Sequence, residues 1–457
     1  MKKMNKKFMI SITILLSIIS FFSGCTNEKT PEKPIKPTTA ESARYFMMNL
    51  SENNYDKAYS FCSNTFKNII SIDQLQSTWK SIIDLYGNMQ DIIGIEEKSY
   101  EDYNYILIFL NTTFSNDYYL IFKVVFNQEN QIEGFFIESV KPITSYVFPS
   151  YVNPDSFTEF DVVIGSKSPL PATISIPKGP GPFPAVVLVH GSGPNDRDET
   201  IGPNKPFKDI AGGLATKGIA VLRYDKRTYV YPNETFSDKI NTTPKTEVID
   251  DAIASIDFLS NHELIDAKNI IIVGHSLGAM MAPKIAFTDS RVKAVICLAA
   301  PARSLEDLIL NQYNYLFSLD DKIDESEQKI LDQLQIEVLK IKNLNISDDE
   351  LVLNAPYAYW AYLSTYDPVE TAMKLNISFL FLQGLRDYQV TYNDDFMVWK
   401  NAFLNKTHAT FITYENLNHI FISGEGIPNN TEYFIKGNVE EQVIIDIASW
   451  IKNVINE

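Results

Sequence analysis

A chain of 457 residues is long enough for about two or three domains, and 45% hydrophobic with 21% charged residues is the composition of packed globular domains and not of a disordered chain. The formal net charge of −17 argues against nucleic acid as a partner, because affinity for phosphate backbones depends on clustered Lys and Arg. With 3 cysteines there is no disulfide framework, and no CxxC, HExxH or similar spacing supports a metal.

Residues 1–24 read as an export leader. "MKKMNKK" is basic, "FMISITILLSIISFFSG" is apolar but short for a bilayer-spanning helix, and Cys25 follows small residues. The stretch "FSGC" resembles a bacterial lipobox, although Phe22 stands where that motif usually has Leu. The resemblance implies lipidation of Cys25 and a protein exported and anchored to the outer face of the cell membrane. The competing reading is an uncleaved signal anchor with an incidental cysteine. Behind Cys25 the segment to residue 40, "TNEKTPEKPIKPTTA", lacks apolar periodicity, so 25–40 is expected to be an extended tether.

Residues 41–147 form a small α+β domain in this reading. "ESARYFMMNLSENNYDKAYSFCS" and "SIDQLQSTWKSIIDLYG" are amphipathic at helical period, whereas "YNYILIFLNTTF", "DYYLIFKVVFN" and "QIEGFFIESV" alternate around Asn and Gly turns. The pattern resembles nuclear-transport-factor-2-like domains that precede hydrolases. It contains no catalytic constellation, and its aromatics read as core ahead of ligand cage. Cys62 here and Cys297 further on read as buried small apolar side chains.

Residues 150–457 alternate strand and helix. "FTEFDVVIGS" and "LPATISIP" read as antiparallel edge strands; "PAVVLVHG", "AVLRYDKR", "NIIIVGH", "VKAVICLAA", "ISFLFLQG" and "ATFITYENL" are short apolar or β-branched runs. Helical stretches such as "KTEVIDDAIASIDFLSN" and "VEEQVIIDIASWIKNVIN" lie among them. Buried strands alternating with amphipathic helices imply a mostly parallel sheet with both faces covered, and in such sheets chemistry gathers at the C-terminal ends of the strands.

Ser276 falls at such an end, between the strand "IIIVG" and the helical "LGAMMAPKIAF". Gly-x-Ser-x-Gly suits a nucleophile because the serine must sit on a tight, strained turn, where Gly274 and Gly278 relieve crowding. A serine hydroxyl needs a base. Of 5 histidines, His275 adjoins the serine and would be aimed elsewhere by the turn, His190 ends an earlier strand, and His262 and His408 lie in connectors. His419, in "ENLNHIF" after the last apolar strand, is the expected base. The acid should fall between them in the order Ser, Asp, His. Asp387, after the strand and Gly turn of "FLFLQGLRD", fits, with Asp307 as runner-up; Asp394 and Asp395 read as helix N-terminal residues. "VLVHGSGPND" supplies an oxyanion hole, with N–H groups of Ser192 (or Gly193) and of Leu277 as donors. It is no phosphate loop, since the third Gly of a dinucleotide fingerprint and a Gly-Lys-Ser/Thr are both missing.

With these pieces in order, residues 150–457 resemble the α/β-hydrolase superfamily. "HGSGPNDRDETIGPNKPFKDIA", "VLRYDKRT" and "GHSLGAMMAP" look like bacterial carboxylesterases related to the dienelactone-hydrolase and serine-aminopeptidase branches. The resemblance implies Ser276, Asp387 and His419 as triad, Ser192 and Leu277 as oxyanion donors, and no cofactor. Arg223 and Asp225 are expected to brace a strand end. For Asn195, Asp196, Arg197 and Asp198 two readings stand open, a pocket-shaping loop and a solvated hairpin. Residues 302–375 are long and helical enough for a cap over the active site. Its Tyr357, Tyr359, Trp360 and Tyr362 either line a substrate pocket or glue the cap to the core. The leading expectation is hydrolysis of carboxylic esters through an acyl-enzyme, with a small-molecule ester as substrate; a peptidase or amidase, a thioesterase and a non-enzymatic ligand-binding lipoprotein are the alternatives.

Overall fold

The structure is a computed structural model that describes residues 37–100, 105–115, 118–143, 146–232, 235, 238–320, 322–348 and 350–456; the leader, Cys25 and the tether up to residue 36 lie outside the described residues. The chain divides into two compact units, Met1–Ser145 and Tyr146–Glu457.

In the first unit, α1 (Thr39–Ser51), α2 (Tyr55–Ser60), α3 (Asn64–Ile69) and α4 (Ile72–Tyr86) precede the sheet. The long helical pattern at the start breaks because Asn53 takes φ +60° and Ser63 accepts from the N–H of Phe66 to begin a new helix. Capping boxes open α1 (Thr38 with Glu41) and α4 (Ser71 with Gln74), pairing N–H groups that a first helical turn leaves unsatisfied. Then β1 (Met89–Tyr100), β2 (Tyr105–Phe114), β3 (Tyr118–Phe126) and β4 (Ile132–Pro142) form an antiparallel sheet in sequence order. One face of β2 and β3 is buried at every second residue, where Trp79 packs on Phe114 and Phe122, and Phe122 stacks on Phe135. β1 carries no clean alternation in sequence because its register slips twice, and of Ile92 and Ile93 only Ile92 is buried.

In the second unit the described residues form an eight-stranded sheet in the order β12-β11-β10-β9-β7-β8-β6-β5. Its strands are β5 (Phe157–Ile164), β6 (Leu170–Pro177), β7 (Phe183–Val189), β8 (Ala220–Tyr224), β9 (Ile265–His275), β10 (Val292–Leu298), β11 (Ser378–Gly384) and β12 (Ala409–Tyr414). β7 to β12 pair in parallel, and β6 and β5 add antiparallel at one edge. Consecutive residues of a strand point to opposite faces, and Val186 to Val189 and Ile270 to Val273 are all fully buried, so both faces are covered. The helices α5 (Pro206–Thr216), α6 (Asp250–Ser260) and α7 (Leu277–Thr288) connect successive strands, and an insertion adds α8 (Leu305–Phe317), α9 (Glu325–Lys342), α10 (Tyr357–Ser364) and α11 (Pro368–Met373). The C-terminal α12 (Glu441–Asn456) buries Val443, Ile444, Ile447, Ala448, Ile451 and Val454, a stripe at helical spacing. β10 and β11 are direct neighbours in register Ala294↔Ser378, so the whole insertion is an excursion between two adjacent strands. This is the mostly parallel α/β architecture with a helical insertion, preceded by a small α+β unit.

Candidate active site

β9 ends inside the sheet and the chain turns into α7 at Ser276, with φ +51° and ψ −116°. An L residue adopts that conformation only where its surroundings over-determine it. Here the Ser276 N–H donates to Leu298 O at 3.0 Å, and Ser276 O accepts from Met280 N–H at 2.9 Å. The two glycines are a steric requirement of the same turn. A Cβ on Gly274 would stand 2.3 Å from Gly278 O, and one on Gly278 would stand 2.1 Å from Val189 O. Leu277 begins α7, so its N–H belongs to the first turn, which has no partner within the helix.

His419 follows β12 and Asp387 follows β11, and both are buried. His419 Nδ1 lies 2.7 Å from Asp387 Oδ2. The carboxylate is itself held: Oδ1 accepts from the N–H groups of Gln389 (2.8 Å) and Val390 (3.0 Å), and Oδ2 from Gln383 Nε2 (3.2 Å). With Nδ1 engaged, Nε2 is the imidazole nitrogen left for chemistry. Ser276 and His419 line one cavity of about 630 Å³, walled by Leu305, Leu308, Ile309, Leu353, Trp360 and Ile420. The insertion therefore covers the site. Charged groups also reach the lining, and each has a partner: Glu199 stands 3.0 Å from His275, Glu247 2.6 Å from Lys226, and His419 faces Asp387.

Ser192 and Gly193 line the same cavity from the loop after β7, with Gly193 at φ +91°. Two side chains that the sequence did not single out fix this loop. Lys226 Nζ, buried, donates to Gly191 O at 2.8 Å, and Glu199 Oε1 accepts from Gly191 N–H at 2.7 Å. The Gly191–Ser192 peptide is trans, so holding its carbonyl toward Lys226 turns the Ser192 N–H the opposite way. Asn195 Nδ2 holds the next carbonyl, Ser192 O, at 3.1 Å.

Several expected residues lie elsewhere. Arg197 is not in this cavity: its guanidinium makes a two-pronged contact with Asp225 at 3.0 and 2.8 Å and reaches Thr173 at 2.8 Å, in a separate polar cleft over β6 and β8. The carboxylate at the end of β8 draws it away from the serine. Arg223 is a brace, pairing with Asp198 and Glu159. Tyr357 begins α10 and is 40% exposed, so it does not line the cavity; Tyr359 and Trp360, on the buried face, do. Trp360 Nε1 donates to Val352 O at 2.9 Å, while Tyr362 packs on the core. The insertion's aromatics thus serve both as lining and as glue. Asp307 pairs with Lys342 within the insertion. Asp395 does more than begin a helix: fully buried, it accepts from Ala302 N–H and from Arg303. His190 is held down to about 4 by burial and lies 3.0 Å from Asp196 O.

The first unit matches, over residues 43–135, a family described as "Protein of unknown function (DUF3887)", and residues 207–315 match the prolyl oligopeptidase family. Esterase EstD of Thermotoga maritima is 40% identical over 414 residues, which is 90% of this chain and 95% of EstD. Esterase FrsA of Salmonella paratyphi B is 28% identical over 153 residues, 33% of this chain and 34% of FrsA. Among solved structures, Est1E from Butyrivibrio proteoclasticus is 16% identical, with a TM-score of 0.43 over 65% of this chain and 99% of Est1E.

Proposed function

We propose that this chain, which belongs to the same esterase family as EstD of Thermotoga maritima, hydrolyses carboxylic esters through an acyl-enzyme built on Ser276. Ser276 Oγ attacks the ester carbonyl as His419 Nε2 takes its proton, while Asp387 keeps the imidazole oriented and stabilises the imidazolium. The tetrahedral oxyanion is held by the N–H of Leu277 and that of Ser192 or Gly193. His419 then returns the proton to the leaving alcohol. Water, deprotonated by the same nitrogen, releases the acid and restores Ser276.

The observation that carries this reading is the 2.7 Å contact between His419 Nδ1 and Asp387 beside the cavity that holds Ser276 on its strained turn. The ester reading stands ahead of an aminopeptidase because the charged groups described in the cavity wall are all paired, which leaves no free carboxylate there for a peptide's ammonium group. The mainly apolar wall suits an uncharged acyl or alcohol portion. We further propose that lipidated Cys25 anchors the enzyme outside the cell membrane.

The test is hydrolysis of p-nitrophenyl esters from C2 to C12 by the chain from residue 26, beside Ser276→Ala. Turnover in the parent and a loss on the order of ten-thousandfold in the variant are expected. A folded parent that is silent on every ester and unlabelled by a fluorophosphonate would refute the proposal.

A further inference from the structure

His275 sits between Gly274 and Ser276 and is 4% exposed, yet both of its ring nitrogens face oxygen. Nδ1 stands 3.0 Å from Glu199 Oε2, and Nε2 stands 3.0 Å from the main-chain carbonyl oxygen of His419. A carbonyl oxygen only accepts. Glu199 is an ionised acceptor as well: burial works to protonate it, but His275 and the other groups around it outweigh burial and hold it below the usual carboxylate range. The Nε2 contact is a hydrogen bond, which requires a proton on Nε2, whereas the Nδ1 contact is an ion-pair distance without hydrogen-bond alignment. As an imidazolium the ring donates from Nε2 to the His419 carbonyl and sets its positive charge 3.0 Å from the ionised Glu199 carboxylate.

The same spot joins three loops. A Cβ on Gly191 would stand 3.2 Å from Glu199 Oε1, 3.2 Å from Ser276 Cβ and 3.4 Å from His275 Nδ1. Glu199 itself takes φ +50°, with its N–H bound to Asp196 O at 2.9 Å, so the chain adopts an unfavourable backbone conformation that brings a carboxylate here.

We propose that His275, as an imidazolium, and Glu199 are a positioning pair for the reaction: the cation ties the main chain of His419 to the turn carrying Ser276, and Glu199 ties that turn to Gly191 at the head of the oxyanion loop. The pair touches no reacting atom and acts through His419 and Gly191, so it rests on the esterase reading above. Its value to catalysis is registration, since displacements near 1 Å between reacting groups cost about a hundredfold in rate.

The charged groups around His275 come from several elements. Glu199 lies on the loop after β7, with His190 at that strand's end acting on it; Asp387 follows β11; and the His419 ring, 4.7 Å away between centroids, follows β12. Lys226, after β8, acts on His190. Burial works to strip the proton from His275, but the Glu199 carboxylate together with the His419 carbonyl and Asp387 outweighs it, so its proton is held above the ordinary histidine range. The charged pair is therefore present at lower pH and is lost as pH rises through the folded-state value.

The experiment uses residues 26–457, which retain both units, with ¹⁵N-histidine. With 5 histidines in the chain, long-range ¹H–¹⁵N spectra are assignable by substitution. At pH 7 both nitrogens of His275 are expected to carry protons. Glu199→Gln should leave one, lower kcat about ten- to hundredfold with KM within about threefold, and move the alkaline loss of kcat to lower pH. His275→Gln should lower kcat to a similar extent, and the double variant should lose no more than either single one. A single-proton His275 in the parent, or a Glu199→Gln protein that melts like the parent and keeps kcat within about twofold with an unchanged pH profile, would overturn the proposal. If either single variant fails to fold, the uncharged pair Glu199→Gln with His275→Gln carries the kinetic comparison, and the parent's spectrum alone decides the charge. A parent silent on esters overturns the esterase reading and the positioning role with it, while the spectrum still reports the ion pair.

Discussion

The grip of Lys226 on the oxyanion loop can be tested apart from its contribution to folding. Its side chain is 2% exposed and divides its donors between Glu247 Oε1 at 2.6 Å and Gly191 O at 2.8 Å. Lys226→Met alone would leave the Glu247 carboxylate buried and unpaired, a cost of about 3–5 kcal/mol, comparable with a domain's whole stability. The informative variant is therefore Lys226→Met with Glu247→Gln, which removes both charges and is expected to melt close to the parent. What it still lacks is the charged hydrogen bond to Gly191 O, worth about 1.5–3 kcal/mol. Asn195 Nδ2, at 3.3 Å, is a weaker second donor to that carbonyl and retains part of the orientation. Since about 1.4 kcal/mol is a factor of ten in rate, kcat should fall about ten- to hundredfold. That is less than the hundred- to thousandfold typical of deleting an oxyanion donor outright, because the Ser192 N–H is misaimed and not removed. The assay is kcat on the best p-nitrophenyl ester beside a thermal melt. A double variant that melts like the parent and turns over within about twofold of it would refute the idea that Lys226 aims this peptide.

Gly278→Ala puts a Cβ 2.1 Å from Val189 O, where real contacts begin near 3.0 Å, so the turn must move by close to 1 Å and kcat should drop about a hundredfold; a loss under threefold contradicts the reading. Trp360→Ala should lower stability by about 3–5 kcal/mol in denaturant unfolding and shift the preferred acyl chain to longer esters, whereas an unchanged chain-length profile would remove Trp360 from the pocket. Arg197→Ala should cost about 2 kcal/mol of stability and leave KM within about twofold; a tenfold rise in KM would bring Arg197 back to the substrate.

The three residues of the proposed triad share one property: each announces itself locally. Ser276 sits where an apolar β-branched run meets a helical one, and Asp387 and His419 each follow a strand that periodicity reveals. Glu199, His275, Lys226 and Glu247 meet only through chain reversals, Glu199 and His275 being separated in sequence by all of β8 and most of β9, and no short-range pattern encodes such a meeting. The one hint was position, since Lys226 lies just past a fully buried strand where an unpaired cation would be costly. For Arg197 the sequence leaves two readings open, because nearness to Gly193 in sequence says nothing about which way a loop side chain turns; in the structure it turns to Asp225. Tyr357 and Trp360 differ by less than one helical turn, enough to put one in solvent and the other in the cavity wall.

The pairing of β10 with β11 runs without a slip from Ala294↔Ser378 to Leu298↔Leu382, although the chain makes its longest detour between them. The ladder is indifferent to what happens on that detour, provided the chain returns to Ser378 in step. Ser276 lies before the detour and Asp387 and His419 after it, so under the proposed mechanism the reacting residues sit on stretches of the polypeptide separate from the helices that wall the cavity. The roof can therefore be exchanged by grafting between Ala299 and Ile377 without disturbing the ladder that carries the residues below it.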